Sequence, residues 1–325
     1  MIPLYCVLLW GLFYITPSYA QETLSQEEIY EQRMTHYYQF ENVIVPWYFL
    51  AAIDQYERNI QAVRKDIPKR DSVVAIQFSD EFWSGPFNPI GQDTTPSTIS
   101  YFGGFGLDGN NDGIANAQDD ADILFSMASY LSKFGTSYDE FKLALWQYYY
   151  DEKTVSQILI IAKIYEKYNT VALQKRAFPV PIRSNYSYRS TWGANRGWGG
   201  RRSHEGTDLF AGYGTPIHST SYGVVEVKGW NEFGGWRIGI RDIQNTYHYY
   251  AHLGSYNEDV AIGDIVEPGD ILGYVGSSGY GKEGTSGKFP PHLHYGMYKY
   301  DGRNEWAFDP YPSLLIWERN ARSSK

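Results

Sequence analysis

Cysteine is nearly absent: the 325 residues hold one, Cys6. It lies in the apolar start, so a chain trimmed after that start has no thiol. Disulfides, a thiolate zinc site and a cysteine nucleophile are then excluded, and any zinc must be held by histidine and carboxylate. Positive charge is also short. Lys and Arg number 28 against 37 Asp and Glu, a net charge of −9. That balance argues against a nucleic-acid partner, which calls for a basic footprint. Long apolar runs are missing beyond residues 1–20, so no later segment reads as a membrane span. The first stretch, MIPLYCVLLWGLFYITPSYA, has no Lys or Arg and ends in the small-x-small pattern Ser18-Tyr19-Ala20. It reads as an export signal (1–20) cut after Ala20, with an uncut anchor as the alternative.

Aromatics are what the chain has in excess: 10 Trp, 30 Tyr and 16 Phe. Such side chains suit sugar rings and extended peptides, and they also fill cores. A 43% hydrophobic, 20% charged composition marks a globular protein, and the length leaves room for two domains.

The texture divides the chain. Residues 21–170 read as a helical domain: Ser25 with Glu28 forms a capping box, and Leu50, Ile53 and Tyr56 have helical spacing. Residues 64–106 read as loops with short elements, and 120–134 and 139–168 as helices. Residues 171–203 are rich in Pro and Gly and read as a linker and lead-in loop. Residues 204–315 show short runs split by glycines, GVVEVKGW, WRIGIRD, TYHYYAHL, DILGYVG and HLHYGMY, which predict antiparallel strands. Residues 316–325 are left as a C-terminal tail. The expected fold class is thus multidomain α+β.

Three motifs carry chemistry: His204-x-x-x-Asp208, Tyr250-x-His252-Leu253 and His292-Leu293-His294. In a strand, residues i and i+2 share a face, so His292 and His294 point together with Leu293 buried behind them. Pro290-Pro291 cannot continue a central ladder, so the pair is expected to open a strand. A catalytic zinc takes three protein ligands and leaves one position open. His204, Asp208 and His294 supply two nitrogens and one oxygen. His252 and His292 are left to orient water, take its proton or stabilise an oxyanion. His218, His248 and His36 match no motif, although His248 is expected on the same strand face as His252.

In this order, H-x-x-x-D, Y-x-H-L and H-x-H resemble the lysostaphin-like zinc peptidases, the LytM or M23 family, over about residues 176–315. The resemblance implies one zinc on His204, Asp208 and His294, with His252 and His292 as the non-ligand catalytic histidines. Gly276-Ser277-Ser278-Gly279 is similar to the family's Gly/Ser loop, here lengthened before H-x-H. Upstream, LAAIDQYERN resembles the catalytic helix of lysozyme-like lytic transglycosylases, which places Glu57 at the acid/base position. Ile76-Gln77-Phe78 with Trp83 is similar to the same group's G-x-M-Q-F segment, though Val74 and Ala75 replace its small residues. Asp108-Gly109-Asn110-Asn111-Asp112-Gly113 opens like an EF-hand loop, with Asp119 where a longer Glu is usual, so Ca2+ is an expectation for 108–119. The whole layout resembles the sporulation L-Ala–D-Glu endopeptidases. It implies an exported zinc endopeptidase acting on peptidoglycan in the wall or spore cortex. Two alternatives stay open: a bifunctional enzyme whose N-terminal domain also cuts glycan, and a non-enzymatic wall-assembly or activator protein.

Overall fold

The computed structural model describes residues 24–42, 44–197 and 202–323; the expected export signal, 1–20, lies outside them. The first half is helical: α1 (Gln26–Phe40), α2 (Trp47–Val63), α3 (Asp80–Ser84), α4 (Pro96–Tyr101), α5 (Asp120–Leu131), α6 (Tyr138–Tyr149) and α7 (Glu152–Tyr168). The second half is β1 (Tyr186–Tyr188), β2 (Asn195–Arg196), β3 (Arg202–Ser203), β4 (Thr207–Ala211), β5 (Pro216–His218) and β6 (Gly223–Asn231). These are followed by β7 (Gly235–Asp242), β8 (Thr246–Tyr256), β9 (Ile265–Val266), β10 (Ile271–Val275), β11 (His292–Tyr300), β12 (Glu305–Phe308) and α8 (Tyr311–Ser323).

Local chemistry sets the helix ends. The expected capping box forms at α1: the Ser25 hydroxyl accepts from the Glu28 amide, and Glu28 accepts from the Ser25 amide. A second box, Ser137 with Glu140, starts α6. The predicted 139–168 helix is in fact two, because Tyr150 takes a left-handed conformation and Asp151 caps α7. Helix α2 is the hub. Leu50, Ala51, Ala52 and Ile53 are all 0% exposed, and burying a Leu or Ile side chain contributes about 1.5–3 kcal/mol. Phe49 stacks on Phe141 with ring centroids 3.8 Å apart.

At the centre of this core sits a charge. Asp54 is fully buried and accepts from Tyr37 Oη at 2.5 Å, Arg33 Nη2 at 3.2 Å, Arg58 Nη2 at 3.2 Å and the Ala75 amide. Arg33 is itself buried. The network ties α1 and α2 to the segment after α2.

The strands form one antiparallel sheet in the order β1-β4-β11-β8-β7-β6-β9. Strand β10 pairs β5 and β8, β12 pairs β11, and β2–β3 is a separate hairpin. The predicted strands correspond to β6, β7, β8, β10 and β11.

The first part of the expected linker, residues 171–180, is packed rather than spanning a gap. Val171 and Leu173 bury in the helical core, and Phe178 and Val180 in the sheet core. Proline and glycine mark irregular backbone, but the apolar side chains between them are free to bury. The tail is also structured: α8 runs through it, Trp317 is buried, and Glu318 accepts from Tyr186 and Tyr188. The halves share contacts. Val224 and Ile243 of the sheet half belong to the helical core, Tyr168 packs on Tyr222 at 4.8 Å, and Asn59 donates to the Ile243 carbonyl.

Candidate active site

The cluster is built across two adjacent strands. Register pairs Asp208 of β4 directly with His294 of β11, so their side chains rise from the same face at close range. His204 lies just before β4 and reaches the same point. Its Nε2 is 2.9 Å from His294 Nδ1 and 3.0 Å from Asp208 Oδ1, and His294 Nδ1 is 3.0 Å from Asp208 Oδ1. Gly206 keeps this approach possible: a Cβ there would lie 2.6 Å from His294 Cε1. Among the described residues, this is the one group of three or more His, Cys, Asp or Glu whose ligand atoms converge as a metal site requires.

Three of the site histidines are each held in one tautomer. A backbone carbonyl can only accept, so the ring nitrogen facing it carries the proton. His204 Nδ1 donates to the Thr191 carbonyl at 2.8 Å, His252 Nδ1 to the Ser278 carbonyl at 2.7 Å, and His292 Nδ1 to the Pro290 carbonyl at 2.9 Å. Each Nε2 is left as a lone-pair atom. His292 Nε2 lies 3.7 Å from Asp208 Oδ1, and the His252 and His292 rings are 4.8 Å apart.

The Gly/Ser loop is the scaffold for these rings. Ser278 Oγ donates to the Leu253 carbonyl and accepts from the Trp236 amide, fixing the carbonyl that His252 uses. Ser277 Oγ donates to the Phe289 carbonyl, which anchors the return to His292.

One expectation is corrected. His248 and His252 do not share a face. Between the pairs Trp236↔Leu253 and Ile238↔Tyr250, β8 has one residue more than β7, and His252 has φ +66°. This bulge resets the side-chain alternation and turns His252 to the site. A left-handed backbone at a non-glycine residue costs about 1–3 kcal/mol. His248 points into the core, bonded to Asp242 at 3.1 Å, Tyr295 Oη at 2.7 Å and Thr220 at 3.2 Å. His248→Ala should therefore destabilise the fold by about 1–3 kcal/mol and leave metal content intact. Urea unfolding and metal analysis would check this; zinc loss at unchanged stability would contradict it.

Burial opposes ionisation of Asp208, but the neighbouring His204 and His294 overcome it and hold the carboxyl far below the usual range. Burial, then the neighbouring His292 and His294, pushes His252 down to about 3. Burial also lowers His292 and His294. One carboxylate oxygen and two imidazole nitrogens form a donor set that zinc takes.

The cleft around the cluster measures about 480 Å³ and includes Arg196, Arg202, Arg237, Tyr249 and Tyr280. Sequence reasoning missed all five, because single Arg and Tyr residues carry no spacing signal. Arg196 forms an ion pair with the outer oxygen of Asp208.

Two other expected sites lie in the helical half. Glu57 opens onto a separate cleft of about 580 Å³ with Gln77, Phe82, Phe105, Tyr130 and Tyr148. In the 108–119 loop, Asp108 accepts from the Asp112 and Gly113 amides, and Asn110 from the Asp112 amide. Asp119 turns to cap α5. These carboxylates are engaged by the loop's own backbone.

Residues 202–310 match the model of peptidase family M23. Along 313 residues, 96% of both proteins, the chain is 54% identical to the L-Ala–D-Glu endopeptidase of Bacillus subtilis (strain 168). Over 113 residues, 34% of this chain and 21% of the relative, it is 36% identical to lysostaphin of Staphylococcus simulans. The solved catalytic domain of that lysostaphin is 32% identical, with a TM-score of 0.33, covering 40% of this chain and 93% of that domain. The chain belongs to peptidase family M23, a family of zinc-dependent endopeptidases.

Proposed function

We propose that this protein hydrolyses the amide bond between L-alanine and D-glutamate in peptidoglycan stem peptides, using one zinc ion held by His204, Asp208 and His294. End-to-end likeness to the Bacillus subtilis endopeptidase is the observation that carries the choice of bond. The metal assignment is supported by the near-equilateral triangle of donor atoms, 2.9–3.0 Å on a side. Ligands about 2.0–2.1 Å from a tetrahedral zinc stand about 3.3 Å apart, so small outward shifts suffice. Bound zinc supplies Lewis-acid polarisation of the scissile carbonyl and an acidified water.

The chain's own residues do the rest. His252 and His292 present Nε2 lone pairs beside the cluster, where one accepts the attacking water's proton and passes it to the departing amine. While it holds that proton, before giving it to the amine, the ring stabilises the negative carbonyl oxygen. Thr191, Ser278 and Pro290 carbonyls hold the tautomers that make this possible. The work is placed outside the cell membrane, where its substrate lies, in the wall or spore cortex.

The test is digestion of purified peptidoglycan followed by mass spectrometry of the fragments. New D-glutamate amino termini, with L-alanine left on the glycan, are the expected products. New termini at glycine or at a D,D-crosslink would refute the assignment.

A second reading concerns Glu57. Burial pushes its carboxyl up to about 7, against a hydrogen bond from Tyr149 at 2.7 Å that lowers it. A protonated carboxyl in an aromatic-lined cleft is suited to general-acid work on a glycan, and it favours a lysozyme-like role for the helical half. The raised folded pKa means stability falls as pH rises from the unfolded value of about 4.3 toward 7. Glu57→Gln should therefore raise stability at pH 8 by about 1–2 kcal/mol and change it little at pH 4. Thermal melts at both pH values would check this, and loss of glycan-chain products in the same variant would show the second activity.

A further inference from the structure

We infer that Arg202 and Arg237 form a carboxylate-binding subsite beside the histidine cluster, which recognises the free carboxylate of the glutamate on the amine side of the scissile bond. This rests on the L-Ala–D-Glu reading above. Glutamate has two carboxyl groups and a linear chain uses only one of them. Whichever continues the peptide, the other remains as an anion next to the bond being cut. A site for that bond must either solvate this charge or pair it.

The cleft offers two cations for pairing. Arg202 Cζ lies 4.3 Å from the Phe233 ring centroid and 5.8 Å from that of Tyr280, whose ring is 5.7 Å from His252. Arg237 Cζ lies 6.0 Å from the Tyr249 ring centroid, and that ring is 5.9 Å from His294. Each guanidinium is thus one aromatic ring away from a site histidine. Both line the same cleft. The Phe233 ring face holds the Arg202 guanidinium in place, and Arg237 is held beside Tyr249 by a hydrogen bond with its hydroxyl.

Neither arginine has a carboxylate within ion-pair distance among the described residues, and the Nε of each is buried without an acceptor. The cleft's other charges are accounted for differently. Arg196 is paired with Asp208, and Glu305 with Arg241 and Lys153. Glu205 is exposed, near Tyr298. Two partly buried cations with no carboxylate partner among the described residues and with Nε lacking an acceptor, facing a peptide cleft in an acidic protein, constitute an anion site. Arginine pairs carboxylates in bidentate geometry. A bond between two glycines would present no such anion.

The test uses the full-length zinc-loaded protein and two synthetic peptides, N-acetyl-L-Ala–D-Glu extended through the γ-carboxyl, with the α-group as free carboxylate or as carboxamide. The wild type should cut the acid with kcat/KM about 10- to 100-fold above the amide. Arg202→Ala and Arg237→Ala should bring that ratio to near one, mainly through KM on the acid, while Arg237→Lys restores part of it. Circular dichroism and zinc content establish that each variant is folded. Equal cutting of acid and amide by the wild type would overturn the subsite and leave the bond assignment standing. Cutting of neither peptide, with a different new terminus in digested wall, would overturn the bond assignment and the subsite with it.

Discussion

His294→Ala is expected to release zinc and lower kcat/KM on peptidoglycan by at least about 1000-fold. The residue supplies one corner of the donor triangle and bonds Asp208 at 3.0 Å. Two donors remain after its removal, too few for a catalytic zinc. The fold should survive, because Leu293 and Tyr295 on either side keep β11 in the sheet core. Activity and metal content should fall together while the melting temperature moves little. A variant that loses zinc but keeps wild-type turnover would refute a metal mechanism. His292→Ala separates the roles: zinc should stay while turnover falls by about 100-fold or more.

The second large effect lies far from the cluster. Asp54→Ala should destabilise the protein by about 3–5 kcal/mol, because it strands the buried Arg33 guanidinium without a counter-charge. That is a large share of a typical folding free energy. Acid should act in the same direction. Burial opposes ionisation of Asp54, but Arg58, Arg33, Tyr37 and the Ala75 amide together lower its folded pKa. Its contribution is therefore complete above the unfolded aspartate value of about 4. It is lost as pH falls through the depressed folded value. Urea unfolding of wild type and Asp54→Ala at pH 7 and pH 3 would measure both effects. A difference below about 1 kcal/mol at pH 7 would mean that the buried network contributes little net stability.

The His204, Asp208 and His294 cluster was legible because each motif is a short local pattern, while the family resemblance, and not the spacing, joined residues 86 and 90 positions apart. His292 and His294 share a face by strand alternation, and Asp208 and His294 come together through one cross-strand pair. What could not be read depends on how strands match each other. The face of His252 is set by a bulge, which is a mismatch in length between β7 and β8, and no single strand shows it. Arg202 and Arg237 acquire meaning only through the rings they lie beside.

The helical half divides similarly. Capping at Ser25 is a four-residue pattern and was legible. The charge network around Asp54 joins Arg33, Arg58 and Ala75, whose proximity follows from packing α1 and the segment after α2 onto α2. Residues 171–180 and α8 misled for a related reason. Proline, glycine and terminal position describe backbone irregularity, whereas burial of Phe178, Val180 and Trp317 depends on the sheet beneath them.

Zinc K-edge X-ray absorption of the purified protein tests the central claim most directly, since it counts and identifies the atoms around the metal. The account predicts one zinc per chain with two imidazole nitrogens and light oxygen ligands at about 2.0–2.1 Å, and loss of the imidazole scattering pattern in His294→Ala. A protein that takes up no zinc, or binds it without imidazole scattering, would contradict it.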